Sequence, residues 1–472
     1  MKRIKNYIPV ILMILAMVIT SCDDELEKLP PLNLSNEYTL STYDGLVQAT
    51  NASYSQFYSA NWYGRDYPVI IDLKGGDGKS SPLNSGRFQL EYNWGNNASN
   101  TSGVYDNVYR MISRANNVIN AIPDIDEPGV TEEQLNQLEG ECLFLRAYAH
   151  WDGIRMFAQP YTYEGGNTPG VPIIRETEIA SPARNTVKEV YEDLIVPDLL
   201  AAEGLIGDDS REGLDSKAFA DKQAVQALLA KVYLYMGQWQ NAADYATAVI
   251  ESGEFTMYTE ENFLDVWGVN ASSEVIFEVY GNSTESSWPG FDEIGYIYYP
   301  DGYGDVCASN QLLDLYTDTD VRADLFMTWE GYESFMWPTK YPGKEGVVRV
   351  NNVPLLRLSE MYLIRAEAIL NGASVAGTTA LDDYNMIRTN RGLAAEIEVT
   401  LQDIYDERRR ELCFEGNAMA DLKRTGRGLD RDEAETLVTG DVDIPFPDYR
   451  WAMPIPQFEI DANPNMVQNE GY

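Results

Sequence analysis

The 472-residue chain predicts a mainly α-helical molecule in which helix–turn–helix repeats pack with a loop-rich lobe containing short strands. Three observations carry this. Apolar residues recur at three- and four-residue steps in several stretches, which is the spacing of one helix face. Residues 54–110 and 255–350 are instead rich in Gly, Asn, Ser, Pro and aromatics and lack that period. The stretch SEVIFEVY (273–280) alternates apolar and polar residues as a short strand does.

From the N-terminus, Lys2, Arg3 and Lys5 precede an apolar run from Tyr7 to Ile19. A helix of that length spans about 20 Å, too short for a bilayer. A charged start and a short apolar middle describe a secretory signal. Ile19-Thr20-Ser21-Cys22 resembles the lipobox of bacterial lipoproteins, whose cysteine is acylated and becomes the first mature residue. Asp23, Asp24 and Glu25 resemble the acidic export signal of Bacteroidetes surface lipoproteins. The expected organisation is a signal peptide over 1–21 and one domain over 22–472, lipid-anchored at Cys22.

The repeats are expected mainly within 104–254 and 354–424. QLEGECLFLRAYAHWDGIRMF (137–157) is apolar nearly all round and reads as a buried helix. TVKEVYEDLIVPDLLAAEGLI (186–206) is helical with a kink or break expected at Pro197. Over 220–253, Val225, Leu228, Leu229, Val232, Tyr233 and Met236 form one stripe, Gly237 ends the helix, and Trp239, Ala242, Ala243, Ala246, Val249 and Ile250 form the facing stripe. Leu229, Ala230, Tyr233, Gly237 and Ala242 have the spacing of a tetratricopeptide repeat, and one such pair needs neighbours to cover its apolar face. PLLRLSEMYLIRAEAIL (354–370) reads as a further helix, with TALDDYNMIRTNRG (379–392) as its antiparallel partner. The ligand-binding lobe is expected mainly within 54–103 and 255–350, because loops on a rigid scaffold are where binding residues usually sit.

Composition excludes several functions. Asp and Glu number 74 against 35 Lys and Arg, a formal charge of −39, or −42 once Lys2, Arg3 and Lys5 are removed. Such a surface repels nucleic acid, although a local basic pocket can overrule the average for an anionic ligand. Cys142, Cys307 and Cys413 have no paired spacing for zinc and read as buried thiols. His150 is the sole histidine and sits mid-helix, which leaves no Ser-His-Asp triad and no His-rich metal site. KGGDGKSS (74–81) has Leu73 where a P-loop needs its first glycine. No cofactor is expected. TDTDVRADLF (317–326) lacks the EF-hand glycine and closing Glu, and leaves room only for loosely held calcium on oxygen ligands.

Six segments in order resemble the SusD/RagB family of outer-membrane lipoproteins of Bacteroidetes: LRAY (145–148), ALLAKVYLYMGQW, Asp320-Val321-Arg322, LLRLSEMYLIRAEA, ERRRELCFEGNAMADLKRTG (407–426) and the tail AMPIPQFEIDANPNMVQNEGY. The resemblance implies a SusD-like fold and a non-catalytic, cell-surface lipoprotein. It would bind glycans, or in some members peptides, and pass them to a SusC-like TonB-dependent transporter. A surface glycoside hydrolase and a repeat scaffold for protein assembly are the other readings. Within ERRRELCFEG, Arg408 is placed to pair with Glu411 in a charge network holding the last helix to the stack. The prolines of PIPQ suit an extended tail.

A pyranose presents an apolar C–H face to aromatic rings and hydroxyls to Asn, Asp and Arg. That mixture occurs in NWYGRDY (61–67), GRFQLEYNWGNN (86–97), SSWPGFDEIGYIYYPDGYGD (286–305) and TWEGYESFMWP (328–338). By position relative to SusD, the resemblance implies ligand contacts from Asp77, Arg87, Trp94 and Asn97 and from Trp288, Tyr296, Tyr298 and Trp337. Two or three stacking contacts of about 1 kcal/mol each give dissociation constants of roughly micromolar to millimolar.

Overall fold

Helix starts follow capping chemistry written in the sequence. Thr131 opens one helix with a reciprocal box to Gln134, and Asp221 takes the Ala224 N–H at the head of another. The computed structural model describes residues 39–207, 217–281, 293–344, 347–432 and 443–472. Cys22 and Trp288 lie outside the described residues, as do the signal segment and the acidic residues behind Cys22.

The first half contains α1 (Tyr43–Tyr54), α2 (Asp66–Gly75), α3 (Val104–Ala121), α4 (Glu132–Phe157), α5 (Val196–Leu205), α6 (Lys222–Met236) and α7 (Trp239–Glu251). α4 is buried on nearly every side from Leu138 onward, packed between α3 and α5. α6 and α7 form the expected pair. Gly237 joins them at φ 68°, a left-handed turn that a side chain would strain. Ala242, Ala243, Ala246 and Val249 are buried on α7, which also packs against a later helix.

Pro197 does not break its helix. Helical backbone runs from Val187 to Leu205 through Pro197, and the carbonyl of Asp193, four residues before the proline, is taken by Arg175 Nη2 instead. The residues before it, Val190–Ile195, wind as a wider π turn that absorbs the disturbance.

The second half contains α8 (Ile294–Tyr298), α9 (Leu358–Leu370), α10 (Ala380–Asn390), α11 (Leu401–Leu412), α12 (Ala418–Arg424) and α13 (Gln457–Ala462). α7, α9, α10 and α11 continue the helical stack. The described strands form antiparallel pairs: β1 (Gly78–Ser80) with β3 (Val306–Ala308), β2 (Val275–Val279) with β6 (Val353–Arg357), β4 (Phe326–Met327) with β5 (Trp337–Pro338), and β7 (Leu429–Asp430) with β8 (Asp443–Ile444). Two sequence expectations change here. Residues 354–357 are strand, because Val353–Arg357 pairs with β2 before α9 begins. β2 is buried at all five positions instead of on alternate ones.

A buried ion network locks the second half together. Arg391 bridges Glu274 at 2.8 Å and Glu411 at 2.7 Å, and Arg357 bridges Glu274, Glu411 and Glu415 at 2.9–3.0 Å. Arg322 joins Asp320 at 2.8 Å, Glu407 at 2.6 Å and Glu411 at 3.0 Å. The expected Arg408–Glu411 pair is not the one made. Arg408 turns to Asp421 at 3.0 Å and Glu360 at 3.1 Å, since Glu411 faces three other guanidinium groups.

The tail lies across the end of α4. Met453 N–H bonds Met156 O at 2.9 Å, and Asn469 Nδ2 donates to Phe157 O and Met453 O at 2.8 and 2.7 Å. Lys423 donates to the carbonyls of Arg155, Ala158 and Trp451, closing the same junction. His150 is a core residue. Its Nδ1–H donates to Arg146 O at 2.8 Å, its Nε2 accepts from Ile174 N at 3.4 Å, and burial lowers its pKa to about 3. Cys142, Cys307 and Cys413 are buried.

Candidate functional site

The lobe is built on the β1–β3 pair. Two loops meet at its edge, one after β1 and one between α8 and β3. α8 is held by Ile294 N–H on Gly64 O at 2.8 Å. The chain then folds back so that Tyr303 N–H bonds Tyr296 O at 2.8 Å. Gly304 makes the next turn at φ 57°, where a Cβ would stand 2.9 Å from Pro300 Cα and 3.1 Å from a Leu83 methyl. Its carbonyl accepts from Trp337 Nε1 at 3.0 Å and from Ser81 Oγ.

Asp305 stitches the two loops together. Its carboxylate takes Ser85 N–H at 2.7 Å and Ser85 Oγ at 3.0 Å, and its carbonyl takes Ser81 N–H and Asn84 Nδ2, both at 3.0 Å. Arg87 reaches Asp305 at 3.5 Å, and its guanidinium lies 3.8 Å over the Tyr303 ring. Tyr296 stands edge-on to Tyr303 with centroids 5.8 Å apart, and Tyr299 stands edge-on to Trp329 at 6.5 Å. All four aromatics are only partly buried. Each ring is therefore fixed at its root and reaches the surface.

The residues implied by position divide sharply. Arg87 and Tyr296 come together at this surface. Trp337 lies beneath it, fully buried, and orients the Gly304 turn. Tyr298, the neighbour of Tyr296 but one, points inward to stack on Tyr341 at 5.9 Å, so a surface ligand does not meet it. Asp77 is buried against Arg409 at 2.6 Å. Burial pushes its carboxyl up, and Arg409 opposes the rise. Trp94 is buried edge-on to Trp451, with Lys74 Nζ 4.1 Å over its ring. Burial lowers Lys74 to about 7. Asn97 is exposed and closes its own turn, where its side chain accepts from Ser99 N at 3.0 Å.

Tyr299, Tyr303, Trp329 and Asp305 were not singled out from sequence, although three of them lie in the quoted aromatic stretch 286–305 and Trp329 in 328–338. The signal that could have found them is the Gly302–Gly304 frame around Tyr303, since a tight turn aims its central ring outward.

One further group bears on the site. Glu293, just before α8, accepts the Tyr58 hydroxyl at 2.7 Å, and burial raises its carboxyl to about 7. The candidate calcium segment is closed by its own arginine: Asp320 receives Arg322 Nε and Nη2, both at 2.8 Å. Among the described residues, no group of three or more His, Cys, Asp or Glu is placed to hold a metal ion, and no helix is long and apolar enough to cross a membrane.

Comparison with known proteins places this architecture. A family model described as starch-binding and associating with the outer membrane matches residues 37–234, and a SusD family model matches 318–472. A solved SusD superfamily protein of Bacteroides thetaiotaomicron is 30% identical with a TM-score of 0.83, covering 91% of this chain and 99% of that one. The chain belongs to the SusD family. SusD-like protein P2 of Formosa agariphila is 25% identical over 97% of this chain and 98% of its own. The starch-binding protein SusD of Bacteroides thetaiotaomicron is 34% identical over 30% of this chain and 25% of its own.

Proposed function

We propose that the protein is a surface glycan-binding lipoprotein of the outer membrane that holds oligosaccharide on the Arg87–Tyr303–Tyr296 and Tyr299–Trp329 cluster. It does so without cleaving the glycan and delivers it to a SusC-like TonB-dependent transporter. Cys22 carries the lipid anchor. The observation that supports this best is the pairing of partly exposed rings with Arg87 at one edge of the lobe. Rings take the C–H face of a pyranose, and the polar groups take its hydroxyl edge. Burial of the only histidine supports the non-catalytic part, and the family model named for starch binding supports the ligand class.

The test is affinity electrophoresis and calorimetry over a panel of neutral polysaccharides, with analysis of products. The expected result is retention of at least one polymer with no new reducing ends, and loss of that retention in the Tyr303→Ala/Trp329→Ala double variant. Turnover of the polymer, or full retention by the double variant, overturns the reading.

A further inference from the structure

A second concave site lies where α2, α11, α12 and β7 meet. Its volume is about 200 Å³, and Tyr405, Asp406, Arg408, Arg409, Arg427 and Asp430 are among the side chains that line it. It shares no residue with the aromatic cluster. At less than the roughly 300 Å³ typical of drug-sized ligands, it suits one small residue. The close approach of α2 to α12 at its floor depends on Gly75, whose Cβ would stand 2.3 Å from both Ala418 Cβ and Met419 N.

The charges lining it are unequally engaged. Arg409 is occupied by Asp77 and by Gly76 O, each at 2.6 Å. Arg408 is only 2% exposed. It gives Nε and Nη2 to Asp421 and Glu360, and its Nη1, which has no acceptor among the described residues, is sealed from the cleft. Arg427 lies 4.2 Å over the Tyr405 ring and donates only its Nε, to Thr425 Oγ1 at 2.8 Å. Its two terminal nitrogens have no acceptor among the described residues. Among the described lining residues, Arg427 is thus the guanidinium that keeps donors open to the cleft.

A planar fork of N–H groups matches a carboxylate. The remaining lining narrows the choice. Asp406 takes one amide N–H from Gln402 at 2.8 Å, and it and Asp430 repel a dianion while offering oxygens to hydroxyl donors. A monoanion that also carries hydroxyls fits both halves of the cleft.

We infer that this cleft binds a small hydroxy-carboxylate, a uronic-acid residue, with its carboxylate on Arg427 and its hydroxyls toward Asp406. The uronic source rests on the glycan reading above; the carboxylate site does not. The average charge of the chain opposes an anion, and the unused donors of Arg427 are the local exception.

Calorimetry on the purified protein with glucuronate, gluconate, glucose and acetate tests it. Glucuronate is expected to bind more tightly than the other three. Arg427→Gln is expected to weaken it at least tenfold, with an unchanged unfolding midpoint, because Arg427 is half-buried and outside the ion network. Tyr303→Ala should leave glucuronate binding intact, and Arg427→Gln should leave neutral-oligosaccharide binding intact, so the two sites fail separately. Tighter gluconate overturns the uronic source. Equal binding of glucose, equal binding of acetate, no heat with glucuronate, or an unaffected Arg427→Gln variant overturns the site.

Discussion

Glu411→Gln tests the ion network that fixes the second half of the molecule. Glu411 accepts Arg322 Nη1, Arg357 Nη1 and Arg391 Nε at 3.0 Å each, and Arg391 Nη2 at 2.7 Å. A glutamine keeps the shape but turns an NH2 group toward guanidinium donors and removes the negative charge. No arginine is left alone, since Arg322 keeps Asp320 and Glu407, Arg357 keeps Glu274 and Glu415, and Arg391 keeps Glu274. The loss therefore sits at the low end of a broken buried pair, about 3 kcal/mol. With about 2.1 cal/mol/K of unfolding entropy per residue over roughly 400 ordered residues, the melting point falls by about 3 to 4 °C. The effect depends on pH. Burial raises the Glu411 carboxyl, but Arg391, Arg357 and Arg322 outweigh it and hold the carboxyl well below its ordinary value. Its stabilising charge is therefore fully present above the unfolded value near 4.5 and is lost as pH falls toward the depressed folded one. Urea unfolding at pH 7 and pH 3 reads both quantities. A variant midpoint equal to the parent's at pH 7, or a gap that does not narrow at pH 3, refutes the reasoning.

Tyr303→Ala removes one stacking face and the seat of Arg87, and should raise the dissociation constant for neutral glycan about tenfold, measured by calorimetry. Glu293→Gln bears on the anchor of α8: burial raises Glu293 to about 7, so its contribution is full below the unfolded value near 4.5 and is lost as pH rises through 7. The glutamine variant should flatten the change in thermal stability between pH 5 and 8, and an unchanged slope counts against the assignment. Gly75→Ala forces a Cβ into Ala418 and Met419 N and should cost about 1–3 kcal/mol, read as a lowered denaturation midpoint.

Periodicity revealed those parts of the fold whose one face is wet. The α6–α7 pair was legible because its stripes alternate with polar residues and because Gly237 occupies a turn that needs a left-handed residue. α2 was not legible, because all ten of its residues are buried and no polar face marks its period. Residues 354–357 read as the start of a helix because four residues are too short a run to carry a period, and only pairing with β2 makes them strand. At the candidate site the stretches were legible and the residues were not. Tyr296 and Tyr298 sit two apart on one short helix, yet one ring meets the surface and the other packs on Tyr341 and Phe414.

Read alone, the sequence determined the helical stack, the loop-rich lobe, the buried single histidine and the kinship with SusD proteins, since each of these is local in pattern or composition. Tertiary structure decided which aromatics face outward and which arginines find a carboxylate. Those outcomes depend on partners far away in the chain, such as Asp305 for Arg87 and Glu274 for Arg391, and no spacing along the chain encodes such a meeting.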